Sequence, residues 1–108
     1  MIEKLYNFAL GDEKKIEKII DDDAALINHF VFPNGAGLPE HFSNSNVYMI
    51  IVSGTLSLQL GDQETHKYPA GSIVSIPNNI KMNVGNSDDE VLSMFVIKSP
   101  SPRLYKES

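Results

Sequence analysis

The stretch GAGLPEHFSNSNVYMIIVSG, residues 35–54, decides the fold, because a polar, proline-led segment runs into a strand that is apolar on both faces. Successive side chains of a β-strand point to opposite sides, so alternation sorts them into faces. The two faces are Val47, Met49 and Ile51 on one side, and Tyr48, Ile50 and Val52 on the other. A domain interior covers only one of these faces, and a large exposed apolar patch usually marks an interface. We predict a homodimer through the second face, with a terminal strand of the same chain as the alternative cover.

Alternating runs continue beyond this stretch and predict an antiparallel β-structure. TLSLQL, at residues 55–60, places three leucines on one face, and Gly61-Asp62 after it predicts a two-residue hairpin turn. Further strands are predicted over residues 25–32, 47–53, 71–76, 81–84 and 91–98. Six or more short, closely spaced strands predict an all-β sandwich or barrel.

Both ends of the chain require separate interpretation. DEKKIEKII, at residues 12–20, fits either a helix or an edge strand, and the β-rich remainder of the chain favours the strand. At the other end, Pro100 and Pro102 end the last strand and predict an extended C-terminal arm over residues 99–108. No repeat or composition change divides the chain, so residues 1–108 are predicted to form one domain.

Composition restricts the classes of function. The net charge is −5 and the few lysines and arginines are scattered, which argues against a nucleic-acid partner. No apolar run approaches the ~20 residues of a membrane span, and the N-terminus does not resemble a signal peptide. The chain has no cysteine, so a thiolate nucleophile and a cysteine-type zinc site are excluded. These features predict a cytoplasmic protein without a nucleic-acid or membrane partner.

The spacing of glycine, histidine and proline resembles the two motifs of the cupin superfamily, G-x5-H-x-H-x3-E-x6-G and G-x5-P-x-G-x2-H-x3-N. The matching positions are Gly35, His41, Gly54, Gly71, Pro77 and Asn86. The motif-bearing core is therefore residues 35–86, and the strand pattern extends the resemblance on both sides. The resemblance implies an all-β cupin double-stranded β-helix, which is a jelly-roll barrel, with a site inside the barrel mouth.

The resemblance also implies where a metal would bind, and here the sequence departs from the family. Three histidines and a glutamate form the usual ligand set, but this chain has His41, Ser43, Val47 and Met82 at those positions. One imidazole does not hold a divalent ion tightly, so we predict no metal site and no cofactor. His29 and His66 remain alternative ligands for a rebuilt site, and a divalent transition metal would require them.

The predicted ligand pocket is mainly apolar and consists of His41, Ser43, Val47, Met49 and Met82. Methionines with His41 suit Cu(I), although methionine more often fills irregular apolar space. The favoured function is metal-independent binding of a small organic molecule, such as a sugar or an organic acid. The alternative is a metal-dependent enzyme of the dioxygenase, isomerase or decarboxylase type with a nonstandard ligand set. A purely structural barrel is a third hypothesis, and the sequence identifies no catalytic residue.

Overall fold

Two antiparallel β-sheets pack face to face in the computed structural model of the protein, which describes residues 2–104. The strands in this part of the chain are β1 (Lys15–Asp21), β2 (Leu26–Phe32), β3 (His41–Phe42), β4 (Val47–Ser53), β5 (Thr55–Leu60), β6 (His66–Pro69), β7 (Ile73–Ile76), β8 (Lys81–Gly85) and β9 (Leu92–Lys98). The larger sheet has the order β1-β2-β9-β4-β7 and the smaller one has the order β3-β8-β5-β6. The predicted all-β fold is confirmed.

The core lies between the sheets and follows the alternation of the sequence. The buried residues of β4 are Val47, Met49 and Ile51, and those of β5 are Leu56 and Leu58. Their partners on the other strands are Phe30, Phe32, Ile76, Met82, Val84, Leu92, Met94 and Val96. Leu60 is only partly buried because it lies at the end of β5, but it still packs against this cluster.

Several predicted elements differ from the structure in detail. The segment predicted as an edge strand is β1, which pairs with β2 at the edge of the larger sheet. The two-residue turn at Gly61-Asp62 is wrong: β5 ends at Leu60 and β6 begins at His66, so a longer loop joins them. β3 and β6 are additional strands that alternation did not reveal, because one is two residues long and the other, HKYP, is polar.

The C-terminal segment is folded back rather than extended where the structure describes it. Pro102–Leu104 form a short 3-10 helix. Arg103 donates to Asp21 at 2.6 Å and to Asp23 at 2.8 Å, which ties this segment to the end of β1. The rest of the predicted arm, residues 105–108, lies outside the described residues. No helix in residues 2–104 is long and apolar enough to cross a membrane.

The outer face of the larger sheet is covered in part by the N-terminal segment, residues 2–12. Phe8 in this segment packs on Phe95 of β9, with ring centroids 4.8 Å apart. Tyr48 and Val52 of β4 remain exposed, and Ile73 on the adjacent β7 is 69% exposed. The chain itself thus covers one end of the second apolar face and leaves the other end open.

Candidate functional site

The positions that match the cupin ligand set meet at one end of the barrel. β3 pairs with β8 so that His41 lies opposite Met82, and β8 pairs with β5 so that Met82 lies opposite Leu60. Residues paired in this way share a face, so these three side chains form a row on the inner face of the smaller sheet. Val47 and Met49 approach from the larger sheet and join Met82 in the core cluster.

His41 has one ring nitrogen fixed and the other free. Its Nδ1 lies 2.9 Å from the carbonyl oxygen of Pro39. A carbonyl oxygen only accepts, so Nδ1 must be the donor, and in the neutral ring Nε2 carries the lone pair. Nε2 has no partner within residues 2–104. An imidazole held in this way can accept a hydrogen bond or a proton from a bound molecule.

Ser43 serves the scaffold next to this row. Its hydroxyl donates to the carbonyl oxygen of Pro77 at 2.7 Å and accepts from the amide of Ile80 at 2.8 Å. These hydrogen bonds hold the turn between β7 and β8 on both sides of Asn79, which has a left-handed backbone with a φ of 63°. Ser43 lies at its predicted position, but both hydrogen bonds of its hydroxyl hold the turn.

The four matched positions do not fit a metal ion. Val47 and Met82 are 0% and 2% exposed and contribute only hydrocarbon and a thioether, while the Ser43 hydroxyl is already engaged. His41 is the one strong ligand among them, and a transition metal needs several. Residues 2–104 contain no group of three or more His, Cys, Asp or Glu side chains placed to hold a metal.

A cavity of about 300 Å³ opens beside the row, and we call it the mouth cavity. Leu60 is both part of the row and part of the cavity wall. The other lining residues are Gly61, Asp62, Gln63, Pro77 and Ile80. Pro77 and Ile80 are also the two partners of the Ser43 hydroxyl. Of the predicted pocket residues, Val47, Met49 and Met82 lie in the core cluster, and none of the five lines the mouth cavity.

The three histidines do not come together. His41 lies on β3 and His66 on β6, which are the opposite edges of the smaller sheet. His66 is exposed and its ring lies 6.5 Å from that of Tyr68. His29 is on β2 of the larger sheet and faces outward, toward the N-terminal segment.

His29 is the centre of a polar cluster that the sequence did not predict. Its Nδ1 lies 2.9 Å from Glu17 Oε1 and its Nε2 lies 2.8 Å from Ser93 Oγ. The ring is fully buried and forms a triangle with the rings of Phe8 and Phe95, with all three centroids 4.8 Å apart. Both ring nitrogens are therefore occupied. The partners are 12 and 64 positions away in sequence, so no local motif indicates the cluster.

Glu17 joins this cluster to the N-terminal segment. Its Oε1 accepts from the amide of Ala9 at 3.0 Å as well as from His29. These hydrogen bonds, with the Ala9 amide as the larger contribution, lower the pKa of Glu17 below its ordinary value of 4.5. A carboxyl group with a lower pKa in the folded state stabilises that state above the unfolded pKa, and this contribution is lost as the pH falls through the folded value.

We therefore expect Glu17→Gln to remove part of the acid sensitivity of folding. Parent and variant should differ in free energy of unfolding above about pH 4.5, and the difference should shrink as the pH falls further. Urea unfolding between pH 7 and pH 3 measures it, with Glu64→Gln in an exposed loop as the control. A difference between parent and Glu17→Gln that does not change with pH would contradict the assignment.

The fold is that of a small cupin, with two facing sheets and a row of inner residues at the barrel mouth. Three of the four cupin metal-ligand positions carry other residues. Residues 28–98 match the model of the cupin domain family. The chain therefore belongs to the cupin family, as the motif spacing implied.

Known proteins agree with this assignment. The chain is 43% identical over 104 residues to an uncharacterised protein of Methanocaldococcus jannaschii, covering 95% of this chain and 90% of the relative. The crystal structure of that archaeal cupin, with a double-stranded β-helix fold, matches at a TM-score of 0.92 over 95% of both chains. A Streptococcus pyogenes protein of unknown function matches at a TM-score of 0.71 with 20% identity, over 90% of this chain and 78% of the other. The Streptococcus match, at 20% identity, shows the fold alone. Both structural matches confirm the double-stranded β-helix.

Proposed function

We propose that this cupin binds a small neutral organic molecule, of the size and polarity of a sugar, at the mouth cavity and without a metal. The observation that supports the proposal most is the position of His41. It lies in one row with Met82 and Leu60, and Leu60 lines the cavity. His41 is not among the residues that line the cavity and Met82 is buried, so a ligand reaches the free Nε2 of His41 only by extending outside the cavity along the rim.

The size and lining of the mouth cavity suit such a ligand. Its volume of about 300 Å³ is at the lower end of ligand pockets, which are mostly apolar with a few polar groups that fix orientation. Leu60, Pro77 and Ile80 supply the apolar wall. Gln63 supplies an amide that can both donate and accept.

The charge at the rim favours a neutral molecule over an organic acid. Asp62 lines the cavity and the whole chain carries a net charge of −5. A bound carboxylate would be repelled by both unless a cation compensated for it. Neither lysine nor arginine is among the residues that line this cavity. A sugar is therefore the favoured ligand class and an organic acid the weaker one.

A matched pair of probes tests ligand class and site together. D-glucose and D-glucuronate share a ring and differ by a carboxylate. We expect D-glucose to shift the amide resonances of residues 60–63 and 78–80, and D-glucuronate to bind at least about 10-fold more weakly. His41→Ala should weaken glucose binding, because the ligand loses its hydrogen-bond partner. His66→Ala, which removes an exposed histidine on the other sheet edge, should not.

Three outcomes would contradict the proposal. The resonances of the cavity loops would not shift with either sugar, or His66→Ala and His41→Ala would have equal effects, or glucuronate would bind as tightly as glucose. Metal analysis of tag-free protein tests the alternative of a metal-dependent enzyme, since about one equivalent of tightly held metal would favour that function instead.

We also propose that the protein is a homodimer through the open part of the larger sheet's outer face. Tyr48 and Ile73 are exposed apolar residues there, on neighbouring strands β4 and β7. Large apolar patches of this kind usually mark interfaces. A cytoplasmic location, without a nucleic-acid or membrane partner, belongs to the same proposal and is supported by the acidic, cysteine-free composition.

Ile73→Glu should convert the dimer to a monomer, because the interface would have to bury an unpaired carboxylate. Sedimentation at micromolar concentration measures the change. Ile16→Glu is the matched control, since Ile16 is 58% exposed on the opposite edge strand of the same sheet and should leave the dimer intact. A parent protein that sediments as a monomer would exclude this interface.

A further inference from the structure

A second cavity, of about 420 Å³, lies on the outer face of the larger sheet and is separate from the mouth cavity. The N-terminal segment forms one wall of this cavity with Phe8 and Leu10. We call it the arm cavity after this N-terminal arm, which is distinct from the C-terminal arm. β4 and β9 form the other wall, with Val52, Ser53 and Ser93. It adjoins the buried His29, because Ser93 both lines the cavity and contacts His29 Nε2 at 2.8 Å.

A continuous series of hydrogen bonds leads from this cavity into the protein through Ser93, His29 and Glu17. The Ser93 Oγ–His29 Nε2 distance is 2.8 Å and the His29 Nδ1–Glu17 Oε1 distance is 2.9 Å. A hydroxyl within hydrogen-bond reach of an imidazole, which is in turn oriented by a carboxylate, is the arrangement that activates a serine nucleophile. Such a constellation is recognised by its geometry and not by its order in the sequence.

The direction of the hydrogen bonds follows from the chemistry of the groups. The lowered pKa of Glu17 keeps its carboxyl group ionised at neutral pH, and an ionised carboxylate only accepts. His29 Nδ1 must therefore carry a proton. In the neutral ring Nε2 then has only a lone pair, so Ser93 must donate its hydroxyl proton to it. This tautomer is the one in which the imidazole can act as a base toward serine.

The surroundings of His29 also fix the orientation of its ring. Phe8 and Phe95 pack against the imidazole at centroid distances of 4.8 Å, each tilted by 49°. The Glu17 carboxylate lies at hydrogen-bond distance from Nδ1. Because the ring is fully buried and both nitrogens have partners, Nε2 is held toward the Ser93 hydroxyl.

We propose that Ser93 is the nucleophile of an acyl-ester hydrolase site in the arm cavity, with His29 as general base and Glu17 as the positioning residue. Ser93 Oγ bonds to the ester carbonyl carbon while its proton moves to His29 Nε2. The bond from that carbon to the alcohol oxygen breaks, and the alcohol leaves with the proton from His29. Water, deprotonated by His29, then attacks the acyl-serine, and the acid leaves as the Ser93 hydroxyl is restored.

The lining of the arm cavity defines the class of ester. Phe8, Leu10 and Val52 offer apolar surface for a short acyl chain, while Asp12 and Glu90 repel anions, so the substrate is a small neutral or cationic ester. The charge that develops on the carbonyl oxygen needs donors. The backbone amides of Leu10, Gly11 and Asp12 belong to the lining segment and make no hydrogen bond within residues 2–104.

A fluorophosphonate probe tests the nucleophile directly, because serine displaces its fluoride and remains covalently phosphonylated. We expect peptide mass spectrometry of the full-length protein to find the label on Ser93. Ser53 is the matched control, since it lines the same cavity and makes no hydrogen bond to His29. p-Nitrophenyl acetate should be hydrolysed by the parent and by His66→Ala, which changes an exposed histidine of the other sheet, but not by Ser93→Ala.

Variants of the other two residues separate catalysis from a structural role. His29→Gln should slow labelling by about 100-fold or more, the usual contribution of a general base. Glu17→Gln should slow it by a similar factor, because a glutamine amide can donate to Nδ1 and shift the ring proton to Nε2. The ¹⁵N resonances of the His29 ring report this change of tautomer in the folded protein, so a loss of labelling through unfolding is distinguished from a loss of activation.

The proposal is overturned if Ser93 labels no faster than Ser53 in folded parent protein. It is also overturned if folded Glu17→Gln labels at the parent rate, or if Ser93→Ala lowers the melting temperature while ester hydrolysis is unchanged. In each of those cases the hydrogen-bonded chain only anchors the N-terminal segment. Sugar binding at the mouth cavity is measured on different residues, so the two proposals fail independently.

Discussion

Gly54→Ala should destabilise the protein by about 2–5 kcal/mol, the sum of a backbone and a packing contribution. Gly54 has a φ of +77°, where an L-residue costs roughly 1–2 kcal/mol. A Cβ at this position would also meet the carbonyl oxygen of Val91 and lie 2.8 Å from the Cα of Leu92. Backbone atoms do not move aside easily, and overpacking typically costs a further ~1–3 kcal/mol.

Gly71→Ala is the matched control because it separates the two contributions. Gly71 has a φ of +92°, but a Cβ there would meet nothing within 4 Å. We expect it to show only the backbone contribution, about 1–2 kcal/mol. Urea unfolding of both variants gives the comparison. Equal losses for the two glycines would mean that the close approach at Val91 is relieved without cost.

The size of the expected effect at Gly54 reflects its place in the fold. It joins β4, in the larger sheet, to β5, in the smaller one, so the chain changes sheets at this residue. The alternating runs on either side must both turn their leucine, valine and methionine faces toward the same core. A shift at this turn would misalign both runs at once. Gly54 also lies two residues from Val52, which lines the arm cavity.

The sequence was sufficient for the scaffold because the scaffold depends on local rules. Period-two alternation correctly predicted which residues of β4 and β5 are buried, and glycine spacing indicated the cupin fold. β3 and β6 were missed because both are edge strands with little apolar surface, so no alternation is needed to form them. The predicted turn at Gly61 failed because β5 continues its pairing with β8 at Gln59 and Leu60, beyond its pairing with β6.

The sites were harder to predict because they depend on contacts between distant parts of the chain. Ser43 matched a ligand position by spacing, but its hydroxyl is used by the β7–β8 turn, which only the fold brings next to it. In the sequence, His29 was identified only as an alternative ligand for a rebuilt metal site. Its role follows from Glu17 on β1, Ser93 on β9 and Phe8 in the N-terminal segment, which meet it only after the sheet has formed.

Restoring the cupin ligand set should create a metal site that the parent lacks. The triple variant Ser43→His, Val47→Glu, Met82→His adds two imidazoles and one carboxylate at the family's positions. With His41 the site then has three imidazoles and one carboxylate, a set that suits several transition metals. We expect the metal-free triple variant to be much less stable than the parent. Val47 is fully buried, so Val47→Glu introduces an uncompensated carboxylate that lowers the free energy of unfolding by about 3–5 kcal/mol. The hydrogen bonds of Ser43 are lost as well.

Added Zn²⁺ or Ni²⁺ should recover much of this stability, because a ligand that binds only the folded state stabilises it by about 4 kcal/mol at a thousand-fold excess over its Kd. The melting temperature with and without metal measures the recovery. The same triple change in a His41→Ala background is the control, since it keeps the buried carboxylate but has one imidazole fewer, and its rescue by metal should be weaker. The parent should show little shift, because its matched positions offer one imidazole, an engaged hydroxyl and two buried apolar side chains. Equal rescue with and without His41 would mean that this imidazole does not point at the restored ligands, and that the register of β3 against β8 does not define the site.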